Sequence, residues 1–159
     1  MKLETAKLSV AVILGLATGV ASAAPSAIAF YGMKNCSCCR RYVAYLQKND
    51  VRVSRQAFLP YTELTALAKK DGVPAKYTSE PSGMHTGICH FMVIDGYVIV
   101  GHVPVRVVDR LIEQHPANVA GIVLPGMPQG SPGMTGKKAG PFVIYAYNST
   151  GKTWVYAKA

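Results

Sequence analysis

Residues 34–46 read Lys-Asn-Cys-Ser-Cys-Cys-Arg-Arg-Tyr-Val-Ala-Tyr-Leu, and three cysteines, Cys36, Cys38 and Cys39, fall within four positions. Cys36 and Cys39 alone make C-x-x-C, the dithiol spacing of thiol–disulfide chemistry. Two neutral residues between them would serve that chemistry, so Cys38 asks for a further reason. The stretch after the cluster has helical periodicity. A helix N-terminus presents unpaired N–H groups and partial positive charge, which favour thiolate over thiol. Lys34 and Arg40 add to that field. No single helical face holds all three positions, so the sulfurs fan around one point. Thiolates in that arrangement suit several bridged soft ions better than one tetrahedral ion.

The fourth cysteine is Cys89, in Gly87-Ile88-Cys89-His90. One crowded group and one distant cysteine allow a single long-range disulfide at most, so a purely structural role explains the pattern poorly. Cys89 precedes a β-prone run and reads as a sulfur delivered to the helix start. His90 then begins a strand, and strand alternation turns it away from the side Cys89 faces. His102 follows the next apolar run and either approaches the site or caps a helix. His85 lies in a loop and has no assigned role. His115 closes a helical segment and reads as a partner of the helix dipole. Met127 and Met134 recur in the same setting, Pro125-Gly126-Met127 and Pro132-Gly133-Met134. Thioethers are soft ligands that need no deprotonation, and flanking Gly and Pro disfavour simple core packing. Met33 and Met92 read as packing residues. No phosphate-binding loop, nucleophile elbow or H-E-x-x-H zinc motif is present, and acidic residues are too scattered for paired-carboxylate catalysis.

These side chains need a scaffold. Residues 26–32 form an apolar run ending in Gly, a strand. A helix spans 39–49 and a second strand 51–58. A short amphipathic helix covers 62–70, and 73–87 reads as a loop. Two apolar runs in 90–101 flank Asp95-Gly96, a strong hairpin signal. Residues 105–115 form a helix behind Pro104. The order β-α-β-α-β-β-α predicts an α/β, thioredoxin-like mixed sheet flanked by helices, with the cysteine cluster in the first βα loop. Residues 121–134 show no strand or helix period, and 142–157 read as a β-hairpin around Asn148–Lys152.

The chain has 159 residues and a formal charge of +9. Lys2 and Lys7 precede the apolar run Leu8–Val20 and Ala21-Ser22-Ala23, the layout of a cleaved secretory signal. The expected division is 1–23 signal peptide, 24–116 thioredoxin-like domain and 117–159 C-terminal extension, with the protein in the periplasm. The apolar run is short for a membrane span. The basic residues are scattered in pairs without interleaved aromatics, which reads as solubility rather than nucleic-acid binding.

Taken together, Cys36-Ser37-Cys38-Cys39, Cys89-His90, Asp95-Gly96-Tyr97-Val98-Ile99, Gly101-His102-Val103-Pro104, Pro125-Gly126-Met127-Pro128 and Gly130-Ser131-Pro132-Gly133-Met134 resemble the CopG-type family of exported copper-resistance proteins. The resemblance runs from about residue 28 to the end. It implies a thioredoxin-like domain whose C-terminal extension joins in metal binding. It also implies several copper ions bridged by Cys36, Cys38, Cys39 and Cys89, with His102, Met127 and Met134 as peripheral ligands. The implied role is copper handling or Cu(I)/Cu(II) interconversion, making a copper oxidoreductase one form of the expectation. Copper ions, a periplasmic copper-efflux system or an electron-transfer protein are the expected partners of a monomeric chain. One departure is Phe91, where the family tends to have Thr after Cys-His. The alternative reading is a thiol–disulfide oxidoreductase using Cys36 and Cys39.

Overall fold

The computed structural model describes residues 27–79 and 87–159. The expected signal segment 1–23 and His85 lie outside the described residues. The elements are β1 (Ile28–Met33), α1 (Ser37–Lys48), β2 (Val53–Leu59), α2 (Tyr61–Lys70), α3 (Ala75–Thr78), β3 (His90–Ile94), β4 (Tyr97–Val100), α4 (Val105–Gln114), β5 (Gly121–Val123), β6 (Val143–Tyr147) and β7 (Thr153–Lys158). Together the strands form one seven-stranded mixed sheet in the order β2-β1-β3-β4-β5-β6-β7.

β1 runs parallel to β2 and antiparallel to β3, and β3 pairs with β4 through the Asp95-Gly96 turn. That is the mixed α/β sheet flanked by helices expected from the sequence. Both faces of its centre are covered. Met92, Ile99 and Ile122 pack with Val43 and Leu46 of α1 and Val107, Val108 and Leu111 of α4. Phe91, Val98, Val100 and Val123 point the other way, onto Leu64 and Ala68 of α2. Successive strand residues therefore reach opposite cores, which explains why residues 91–94 and 97–100 are continuously apolar rather than alternating. No helix among the described residues is long and apolar enough to cross a membrane.

Two local expectations need correction. Residues 75–78 of the expected loop form the short helix α3, behind Pro74. Gly121–Val123, expected to lack structure, is the strand β5, parallel to β4 and antiparallel to β6. Three residues are too few to show a period, and β5 exists because α4 returns the chain beside β4. The C-terminal hairpin β6–β7 then adds to β5 instead of standing apart, so the tail is part of the sheet.

Gly121 sits where β4, β5 and β6 crowd together. A Cβ there would collide with the Val98 carbonyl oxygen and the Tyr147 phenol. The Tyr147 hydroxyl donates to that same carbonyl at 3.1 Å. Gly121→Ala should therefore overpack the β4–β6 junction and cost about 1–3 kcal/mol, read as a lowered urea midpoint with an unchanged slope.

Candidate metal centre

The site is built from the β1–α1 junction. After Met33 the chain turns through Asn35, whose φ of 63° lies in the left-handed region. Cys36 then takes the N-cap position of α1, and its sulfur accepts a hydrogen bond from the Cys39 N–H at 3.2 Å. A sulfur thus occupies the place usually filled by a Ser or Asp oxygen, at the positive end of a twelve-residue helix. Cys36 and Cys39 are joined as a disulfide. The free sulfur of Cys38, half-buried, lies 3.1 Å from that of Cys36.

Cys89 arrives from β3. The Met33 N–H donates to the Cys89 carbonyl at 2.8 Å, extending the β1–β3 pairing to the foot of the helix. The Cys39 sulfur lies 3.1 Å from the same carbonyl oxygen. The sulfurs of Cys36, Cys38, Cys39 and Cys89 all lie within 4.8 Å of one another. Two chain segments therefore converge on one sulfur-lined point, as the sequence anticipated.

Two imidazoles close the far side. His102 Nε2 is 3.4 Å from the Cys89 sulfur, and its Nδ1 is 2.7 Å from the Pro132 carbonyl oxygen. A carbonyl only accepts, so Nδ1 carries the proton and Nε2 faces the sulfur as a lone pair. His90 corrects the expectation that it faces away. Its Nδ1 lies 3.2 Å from the Cys89 sulfur, and the ring is fully buried between Phe30, Tyr42 and His102. Strand alternation does not separate the two residues because β3 begins at His90, leaving Cys89 in the preceding bend. Burial pushes both imidazoles toward the neutral form, with His102 adding to the effect at His90.

The two free cysteines divide one proton between them. Cys38 is lowered to about 5, chiefly by its hydrogen bond with Cys89 and against its own partial burial, with the Cys39 backbone helping. Cys89 is pushed up, first by that hydrogen bond and then by burial. The geometry thus favours a Cys38 thiolate accepting from a Cys89 thiol.

The C-terminal loop covers this corner. Met127 has a φ of 45° and lines a cavity of about 520 Å³ together with Met33, Cys36, Cys38, Tyr61 and Cys89. Met134 is half-buried in the same loop, held by its N–H to the Ser131 carbonyl at 2.9 Å, but it does not line that cavity. His115 caps the far end of α4 in a left-handed conformation, away from the cluster. Sequence reasoning missed three contributors: His90, the Pro132 carbonyl and Arg41, whose Nε donates to the Gly133 carbonyl at 2.8 Å. The adjacent Cys89-His90 pair was the available signal for the first. Nothing in the sequence signals a backbone carbonyl's partner.

The same arrangement of chain is found in solved structures. Two forms of a copper resistance protein CopG match with 31% identity over 86% of this chain. Form 1 is covered over 98% of its length with a TM-score of 0.68, and form 2 over 99% with 0.67. The chain belongs to the CopG family. The family described as "protein of unknown function, DUF411" matches residues 86–134, which hold Cys89, His90, His102, Met127 and Met134. No curated protein matches the chain. The matched span of the family model includes the loop from Met127 to Met134 that covers the cysteines.

Gly133 is the tightest point of that loop. With φ of +80°, its absent Cβ would lie 2.7 Å from the Tyr42 nitrogen and 2.9 Å from the Cys38 carbonyl oxygen. Gly133→Ala should lift the loop from α1 and raise the protease sensitivity of residues 125–140, measured by limited proteolysis, while most of the fold's circular dichroism persists. In the unreduced protein, Cys38 should already be alkylated by iodoacetamide at its full rate near neutral pH. A lowered thiol is ionised above its pKa, so the rate should fall through half its plateau at about pH 5. A rate still climbing from pH 7 to 9 would show an ordinary thiol.

Proposed function

We propose that this CopG-family chain is an exported, periplasmic copper-binding protein of copper resistance that holds a cysteine-bridged copper cluster and interconverts Cu(I) and Cu(II). The observation that carries this is the convergence of four cysteine sulfurs within 4.8 Å at a helix N-terminus. Structural disulfides do not need a third crowded cysteine, and hard cations avoid such a donor set. Soft, polarisable thiolates with neutral imidazole beside them fit copper. The named ligands are Cys36, Cys38, Cys39 and Cys89, with His102, Met127 and Met134 peripheral.

The chain's own residues do three things in this reading. The N-terminus of α1 stabilises thiolate charge at Cys36 and Cys38. An external dithiol that reduces the Cys36–Cys39 disulfide, itself oxidised to a disulfide, provides the two remaining thiols of the sulfur group. His102, locked by Pro132, offers a lone pair without first losing a proton. Copper, when bound, supplies a one-electron couple that sulfur donors tune. Residues 24–116 form the thioredoxin-like part and 117–159 its metal-site extension in this scheme, with residues 1–23 the export signal. The protein acts as a monomer that exchanges copper or electrons with an efflux system or a redox partner.

A thiol–disulfide oxidoreductase is the second reading, favoured by the Cys36–Cys39 disulfide at the N-cap. The two separate at Cys38. The fully reduced protein should take up several Cu(I) ions per chain with sulfur-to-copper charge-transfer absorption. Cys38→Ser should lower that stoichiometry while leaving reduction of the Cys36–Cys39 disulfide intact. Unchanged disulfide exchange together with no Cu(I) uptake by the unaltered protein would leave only the oxidoreductase.

A further inference from the structure

We infer that the mouth of the sulfur site is a docking surface for a protein partner with an acidic face. The inference rests on the copper reading above and names the chemistry of the partner that meets this site. Exposed cations flank the mouth: Lys34 in the β1–α1 turn, Arg40 and Arg41 near the start of α1, and Lys137 and Lys138 on the C-terminal loop. That loop meets α1 at Gly133, and Gly130 lies against the Lys138 backbone. None of these cations pairs with a carboxylate among the described residues.

The carboxylates collect elsewhere. Asp50, Asp109 and Glu113 line one cavity beyond the C-terminal end of α1, beside Asn49 and Ile94. Asp95 lies in the β3–β4 turn, at the other end of β3 from Cys89. Asp71 follows the last turn of α2. Glu63, in the first turn of α2, is the one described carboxylate at the site end. The twelve residues of α1 separate the two ends by about 18 Å. Cations such as Arg52 occur at the far end too, so the asymmetry lies in where the acids are. A face left with one sign of charge steers an oppositely charged partner and fixes its orientation.

The layout fits a macromolecule better than a small anion. Arg40 and Arg41 are consecutive but held on opposite flanks of the helix. The Arg40 guanidinium lies 4.5 Å over the Phe58 ring of β2, while Arg41 Nε donates to the Gly133 carbonyl of the loop at 2.8 Å. Lys138 is drawn over Phe142, 4.9 Å from the ring centroid. The cations therefore spread around the mouth instead of converging on one point. Between them opens the cavity of about 520 Å³, where Met33, Ile88 and Met127 give an apolar wall leading to Cys36 and Cys38. An apolar centre with a charged rim is the anatomy of a protein interface. A flat lipid surface would meet the cations without entering that cavity.

The test maps ¹⁵N amide shifts of the full chain with poly-L-glutamate as the acidic polypeptide. Amides of Lys34, Arg40, Arg41, Lys137 and Lys138 should move, and the effect should fade as salt is raised. Lys34→Glu with Arg40→Glu and Lys137→Glu should weaken binding roughly tenfold or more. A control with the same change in net charge, Lys69→Glu with Lys152→Glu and Lys158→Glu, should bind far more nearly like the unaltered protein. Equal loss in both variants, or shifts spread over the whole surface, would overturn the docking surface. Phosphatidylglycerol vesicles that perturb the mouth while polyglutamate does not would assign it to a membrane and overturn the protein partner. If the rim variant misfolds, the shift map of the unaltered protein still decides. Absence of Cu(I) uptake by the reduced protein would sink the copper reading alone, because the polyglutamate map needs no metal.

Discussion

The pairing of β1 with β3 controls most of what this protein can do. Their hydrogen bonds continue past the strand ends to the Met33 N–H and the Cys89 carbonyl. That places a cysteine from mid-chain against the N-terminus of α1, where Cys36 already caps the helix. A shift of register by one residue would turn Cys89 away and leave three sulfurs facing an empty corner. The register is held by burial on both faces, since Phe91 and Met92 occupy opposite cores and cannot exchange them.

The C-terminal segment serves the site through backbone geometry as much as through its methionines. β5 locks it into the sheet beside β4, and the loop between β5 and β6 comes back over α1. There Gly133 touches the helix backbone and Arg41 ties the loop down. The result is a carbonyl placed to hold one proton on one nitrogen of His102. Met127 reaches the cavity above the cysteines, but the loop's firmest contribution is orientation.

Electrostatics and burial pull the cysteines apart. Cys38, partly open at the helix end, is stabilised as a thiolate, while buried Cys89 keeps its proton. In the proposed copper role, one accessible thiolate and one protected sulfur would let the chain both exchange and retain soft ions. Tyr42 and Tyr45 brace this corner, donating to the Val103 carbonyl and accepting from the Val105 N–H. They link α1 to the segment that carries His102.

Local sequence determined the sulfur cluster, the first helix and strands, the Asp95-Gly96 turn and the final hairpin. Each is written in neighbouring residues: crowded cysteines, helical spacing, a turn dipeptide flanked by apolar runs. It also marked Cys89 as a candidate, because the βα order suggests where that sulfur falls, while His102 stayed open between the site and a helix cap until the family resemblance implied it as a ligand. Only the tertiary structure decided that His90 turns inward, that Gly121–Val123 is a strand and that Pro132 orients His102. Those features depend on contacts between segments far apart in the chain. A three-residue strand has no period of its own, a residue at a strand's first position is not bound by alternation with the bend before it, and a backbone carbonyl is the same group in every residue.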